Sequence, residues 1–363
     1  MFWYCSLMSN TCHHKGRAAV TNRTGRFETL QREAFDDGWN TVEEELPPLR
    51  TEVAVDSSRS IMTRNTSPDI PFEHSINPYR GCEHGCIYCY ARPSHAWLGL
   101  SPGLDFETKL VMKPEAALLL RRHLARPSYR PKVISLGSNT DPYQPIERRY
   151  RITRQILEVL LECRHPCGIV TKSALIERDL DVLAPMAGKN LVRAYISITT
   201  LDRALARRME PRAPTPMVRL RAIESLSRAG IPTGVMVAPV IPGLNDHEIE
   251  TIIKEAAAAG ATTASHVLLR LPLEIRDLFQ EWLATHEPGR AKRVMALIRQ
   301  CRGGKDYDSA WGRRMTGTGP VADLVSRRIS MACRRYGLDR RSWSLDTTQF
   351  IHPSADSRQL SFL

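Results

Sequence analysis

Arg80-Gly81-Cys82-Glu83-His84-Gly85-Cys86-Ile87-Tyr88-Cys89-Tyr90 packs three cysteines into eight residues with the spacing C-x3-C-x2-C. Three thiolates this close together can grip three irons of a [4Fe–4S] cube, and the usual ferredoxin run supplies a fourth cysteine nearby. None follows here, because the next cysteine after Cys89 is Cys163. The motif leaves one iron open to an exogenous ligand, which points to chemistry rather than electron storage. A zinc site is the alternative: it wants four N/S ligands and could recruit His84, His95 or a distant cysteine, but no second C-x2-C unit accompanies the first. Nine cysteines in 363 residues, an odd number with no secretory signal in view, argue against a disulfide framework.

Outward from this motif the chain changes character. From about residue 74, short β-prone runs at 133–137, 168–172, 191–200, 233–241 and 264–270 alternate with helical periodicity at 149–163, 177–186, 216–229 and 245–259. That alternation predicts βα units and a parallel sheet. Gly230 and Gly260 read as helix stops and Asn245 as a cap. Counting 74–80 as a first strand gives six strands before residue 270, too few for an eight-stranded barrel. A doubly wound open sheet is the alternative, although no glycine-rich dinucleotide fingerprint follows a strand. Residues 1–73 are turn-rich and read as an extension that wraps the core or is irregular. Beyond 271 the pattern is helical, at 276–283, 290–300 and 320–336. Pro320 there suits a first helical position, Val321, Val325, Ile329, Ala332, Cys333 and Tyr336 share a face, and Gly337 is a stop. This region is expected to pack against the open side of the barrel, and 338–363 reads as a mobile tail.

At its cysteines the chain resembles the radical S-adenosylmethionine (SAM) enzymes, whose signature is this spacing with an aromatic just before the last cysteine, here Tyr88. The longer stretches Asn77-Pro78-Tyr79-Arg80-Gly81-Cys82 and Cys86-Ile87-Tyr88-Cys89-Tyr90-Ala91-Arg92 are similar to the branch related to spore photoproduct lyase. The resemblance implies an α/β fold, a partial (β/α)6 TIM-type barrel over 74–270. An N-terminal extension (1–73) would precede it, and a helical basic region (271–337) and a tail (338–363) would follow. It implies a [4Fe–4S] cluster on Cys82, Cys86 and Cys89, with SAM chelating the open iron. Reductive cleavage of SAM would then give a 5′-deoxyadenosyl radical that takes hydrogen from a substrate.

The same resemblance distributes SAM contacts along the rim where parallel strands end. Tyr88 lies near adenine in relatives, beside Ala238 and Pro239 of the fifth strand, and Tyr90 is counted with the cofactor-binding residues. Lys172, ending the third strand, would pair the SAM carboxylate; a lysine at the end of a buried strand is unusual without a partner. Ser197 on the fourth strand would touch ribose or methionine, or serve as a small core residue. Ser138, Asn139 and Thr140, with Asp141, stand where many members carry a Gly-Gly-Glu stretch for the SAM amino group; the run reads equally as an Asx turn before Pro142. The lyase returns hydrogen to its product from a cysteine at the position of Ser138, and an O–H is a poorer hydrogen-atom donor than a thiol. That substitution weighs against photoproduct reversal. Arg80 and Arg92 could moderate the cluster's charge or be surface residues.

The remaining thiols Cys163, Cys167, Cys301 and Cys333 read as packed hydrophobes, and Cys5, Cys12, His13 and His14 could bind adventitious metal. The formal net charge is +12, and residues 290–341 hold fourteen Lys/Arg against four Asp/Glu, interleaved with Tyr307, Trp311 and Tyr336, with Trp343 just beyond. A DNA or RNA substrate is one partner this suggests; a solvated helical face is the other reading. A low-potential electron donor such as flavodoxin or ferredoxin is implied by the cluster. No apolar span of membrane length occurs, so the expectation is a cytoplasmic protein without membrane contact. Two competing functions are a non-catalytic Fe–S or zinc sensor that binds nucleic acid, and a radical enzyme acting on protein or a small metabolite.

Overall fold

The alternation resolves into ten strands and eleven α-helices among residues 14–28, 49–339 and 344–353, which the computed structural model describes. Cys5, Cys12, His13 and Trp343 lie outside the described residues. The strands are β1 (Glu52–Val55), β2 (Met62–Arg64), β3 (His74–Ile76), β4 (Tyr79–Arg80), β5 (Lys109–Met112), β6 (Ile134–Leu136), β7 (Cys167–Thr171), β8 (Val192–Ser197), β9 (Thr233–Val240) and β10 (Thr263–Leu268). The helices are α1 (Leu104–Thr108), α2 (Ala116–Leu124), α3 (Glu147–Tyr150), α4 (Ile152–Glu162), α5 (Leu180–Ala187), α6 (Arg203–Met209), α7 (Pro216–Arg228), α8 (Ile249–Ala258), α9 (Ile275–His286), α10 (Pro288–Gln300) and α11 (Pro320–Tyr336).

Seven strands pair in the order β10-β9-β8-β7-β6-β3-β2; the six from β3 to β10 are parallel and β2 runs antiparallel to β3. The order never reverses, which is the winding of a barrel and not of a doubly wound sheet with its switch point. The result is the expected six-stranded partial barrel, open between β10 and β2. The run expected as one strand at 74–80 is divided, because Pro78 has no N–H to continue a ladder. Tyr79–Arg80 pairs instead with β5, which also takes β1 in parallel. The extension thus contributes two strands, each too short to show an apolar pattern.

Helix boundaries follow from local chemistry. Pro320 opens α11 at N1 or N2 and Gly337 closes it at φ 72, while Ala322, Val325, Ile329, Ala332 and Cys333 form its buried face. Asn245 does not cap: its Oδ1 accepts from Ile241 N, and its Nδ2 donates to Thr199 O and Pro239 O, lacing together the ends of β8 and β9. One core lies between the strands and their helices. A second caps the barrel rim, where Leu278, Phe279 and Trp282 of α9 and Val294 and Ile298 of α10 enclose Cys86, Ile87 and Tyr88 with Leu205 and Met209 of α6.

Residues 301–319 form a strap over the open seam. Met315 O accepts from Leu268 N at the free edge of β10 (2.9 Å), and the buried Arg302 guanidinium donates to Leu269 O (2.7 Å) and Arg313 O (2.8 Å). From there Arg314 reaches Asp69, in the loop between β2 and β3, with bidentate contacts of 2.6 and 2.7 Å. The expectation of a mobile tail fails at 344–353, because that stretch carries apolar residues that dock. Leu345 is buried, Phe350 packs its ring against Tyr129 and His165, and Ile351 N donates to Cys163 O. Among the described residues no helix is long and apolar enough to cross a membrane.

His165 is fully buried under this docked segment. With Nδ1 3.1 Å from Pro166 O and Nε2 2.8 Å from Tyr129 Oη, its neutral form donates from Nδ1 and accepts at Nε2. Burial holds its pKa down to about 4, and burial also lowers His74 and His123 beside it. The unfolded chain therefore binds more protons than the native one between pH 6.5 and 4, so stability falls as pH drops through that window. Thermal denaturation should show a falling Tm from pH 7 to 4.5, with a shallower slope in His165→Gln, a variant less stable at pH 7.

Candidate iron–sulfur and SAM site

The cysteine loop leaves β4 at the C-terminal rim and is shaped by contacts remote in sequence. Gly81 and Gly85 take left-handed φ of 73° and 68°, and a Cβ on Gly85 would lie 2.7 Å from Glu107 Oε2. Glu107 is fully buried: Oε1 accepts from Ala19 N (2.9 Å) and from Arg92 (2.5 Å), and Oε2 accepts from Ala18 N (3.1 Å). Arg92, also fully buried, donates its other N–H groups to Cys86 O, Gly85 O, Pro102 O and Gly103 O. It is neither a surface residue nor a free cation, because its charge is matched by Glu107 and its donors are spent on the loop. Arg80 is half-exposed and paired with Asp56.

Thr140 Oγ1 and Gln144 Nε2 both donate to Gly81 O, and Gln144 Oε1 accepts from Glu83 N, so the loop after β6 braces the cysteine loop from the other side. Within that brace Asp141 takes hydrogen bonds from Thr171 Oγ1 (2.6 Å) and Lys172 N (2.8 Å), and Oδ2 lies 3.3 Å from His84 Nδ1 without hydrogen-bond alignment. Burial alone would raise this carboxyl; the His84 charge and the hydrogen bonds outweigh it and hold the group at about 2.

Cys82 and Cys86 are buried and Cys89 is half-buried. Burial pushes the Cys82 thiol well up, reinforced by Asp141 and the other two cysteines; burial also raises Cys86, against the pull of Lys172. Protein charges alone do not favour these two thiolates, whereas a cationic iron core held by them would. Among the described residues no three His, Cys, Asp or Glu side chains converge on a single ion. Cube ligands sit on different irons and stand farther apart than ligands sharing one ion, so three neighbouring thiols on a glycine-shaped loop fit a cluster better than a zinc.

The residues expected to contact SAM fall into two groups. In the first, Tyr88 is buried with its hydroxyl between Thr199 Oγ1 and Glu210, and Glu210 pairs with buried Arg219, which also donates to Ser197 O (3.1 Å). Lys172 Nζ stands 5.6 Å from the centre of the Tyr88 ring. Ser197 is buried at the end of β8. Ala238 and Pro239 are half-buried near the end of β9, and Ala238 O accepts from Thr199 Oγ1. In the second group, Ser138 Oγ and Asn139 N meet the Asn77 side chain, and the Tyr90 hydroxyl donates to Ser138 O. Thr140 is committed to Gly81 O, a loop brace with no hydroxyl proton left for a ligand.

Glu107, Glu210 and Thr199 were not identified from sequence, and Asn245 was read only as a cap. Arg219 left a signal, an arginine four residues before Ile223 and seven before Leu226 on the buried stripe of α7, but nothing local names its partner Glu210. Removing one partner of a buried pair strands the other charge, at about 3 kcal/mol or more. Arg92→Met should lose that much in denaturant unfolding, and iron retained after anaerobic reconstitution should fall although all three cysteines remain.

The family model for the Radical SAM superfamily matches residues 76–256. Uncharacterized proteins of Mycobacterium bovis and Mycobacterium tuberculosis are 40% identical over 233 residues, 64% of this chain and 68% of theirs. A radical SAM Nα-GlyT isomerase of Pseudomonas phage M6 is 27% identical over 198 residues, 53% of this chain and 38% of that one. Among solved structures a mutant of spore photoproduct lyase superposes with a TM-score of 0.51 at 16% identity, over 79% of each chain, a likeness of fold. The chain belongs to the radical SAM superfamily, enzymes that use a [4Fe–4S] cluster and S-adenosylmethionine.

Proposed function

We propose that Cys82, Cys86 and Cys89 hold the cluster and that SAM lies between the Tyr88 and Ser138 groups. One observation carries this reading: Lys172 Nζ stands over Tyr88, one residue from Cys89, with no carboxylate partner among the described residues. An ammonium at a strand end beside a ligand loop suits the carboxylate of SAM. Held there, and with a low-potential donor such as flavodoxin or ferredoxin as the electron source, the cluster and SAM would supply one-electron chemistry for removing hydrogen from a substrate. The chain's own residues fix the geometry. Glu210 and Arg219 lock the Tyr88 ring, Asn245 and Thr199 hold the ends of β8 and β9, and the α9–α10 cap keeps water from the buried side of the loop.

A nucleic-acid substrate is the second part of the reading. Arg290, Lys292 and Arg293 are exposed near the start of α10, with no acidic residue in its first turn and no carboxylate partners among the described residues. Cations at a helix N-terminus oppose the macrodipole, so helix stability does not account for them; a polyanion would.

Anaerobic reconstitution with iron and sulfide, followed by SAM and dithionite, should yield 5′-deoxyadenosine from the wild type and none from Cys89→Ala. Lys172→Met should keep its iron and raise the KM for SAM about tenfold, the loss of one charge-assisted contact. Zinc in place of iron, or no nucleoside from iron-loaded protein, overturns the reading.

A further inference from the structure

We propose that a cavity at the exit of β10 is a subsite for one nucleotide unit flanking the reactive unit of a nucleic-acid substrate, a proposal that rests on the nucleic-acid reading above. The cavity, about 510 Å³, lies between residues 271–277 and the strap, a volume suited to a ligand of that size.

Three features of its wall lack a structural reason. Leu273 has φ 55°, the left-handed region that a leucine rarely adopts, and the residue is 54% exposed. Strain and an exposed apolar surface at one residue mark a place held for contact with a ligand. Glu274 gives Oε1 to Arg26 (2.6 Å), but its Oε2 is buried with no hydrogen-bond partner among the described residues. Lys305 is exposed without a carboxylate partner among them, since the neighbouring Asp306 pairs with Arg299 (2.7 Å). The apolar surface and the unpaired cation match the base face and the phosphate of a nucleotide.

The cavity also communicates with the cluster loop. Tyr307 lines it, and its hydroxyl is 3.4 Å from Arg270, whose guanidinium stands 5.1 Å from the centre of the Tyr90 ring, next to Cys89. Arg270 Nε is buried and has no partner among the described residues. A strand lying along Tyr307 and Arg270 would have one unit in the cavity and its neighbour at the site.

Binding of fluorescein-labelled single-stranded DNA and RNA of mixed sequence to the full chain, followed by anisotropy, tests this. Leu273→Asn suits the left-handed backbone, so its Tm should hold or rise, while affinity falls about tenfold. Lys305→Glu should weaken binding to a similar extent and reduce the slope of log affinity against log salt by about one. Arg228→Gln, exposed at the last position of α7 and not part of the cavity wall, should bind like wild type. If the wild type binds and both cavity variants bind equally well, the subsite is overturned while the nucleic-acid reading stands. If the wild type binds neither polymer at low salt, both fall, and 5′-deoxyadenosine formation remains a separate result.

Discussion

The buried pairing of Arg92 with Glu107 is the constraint on which the cysteine loop depends. A buried ion pair is tolerable only where the remaining donors and acceptors are matched. Here Glu107 takes two backbone N–H groups from residues 18 and 19, and Arg92 reaches four backbone carbonyls. The pair thus joins the N-terminal segment, the cysteine loop and the start of α1. It also explains Gly85, because the carboxylate occupies the space that a side chain there would need.

The rim core extends this arrangement. Cys86, Ile87 and Tyr88 belong to the same apolar cluster as Trp282, Phe279 and Val294. The helical C-terminal region therefore forms one wall of the cysteine loop rather than a separate module. Tyr88 links that wall to the barrel interior through Glu210 and Arg219. The loop is held on one side by charge, on the other by packing, and is braced from β6 by Thr140 and Gln144.

The barrel was legible because its signals are local. Each of the five strand runs from 133 to 270 holds a strand, and α7, α10 and α11 begin and end within two residues of their expected bounds. The cysteine spacing is local too, and it marks the loop that the radical SAM family places at the rim. What escaped depends on distance along the chain. Glu107 acts on residues 18, 19, 85 and 92, and no pattern around it announces burial. β1 and β2 are too short to show alternation, and Asn245 resembles a cap until Thr199 O, forty-six residues away, claims its side chain together with the nearby Pro239 O and Ile241 N. The docked 344–353 segment was missed because its few apolar residues are spaced too widely to suggest a buried element.

A complete barrel is sealed by a continuous backbone ladder, and a molecule reaches its rim from above. This barrel is sealed on one side by the strap, and beyond β10 the strap holds the opposite edge by the ion pair of Arg314 with Asp69. Parting that seam breaks side-chain contacts and leaves the six-stranded ladder whole.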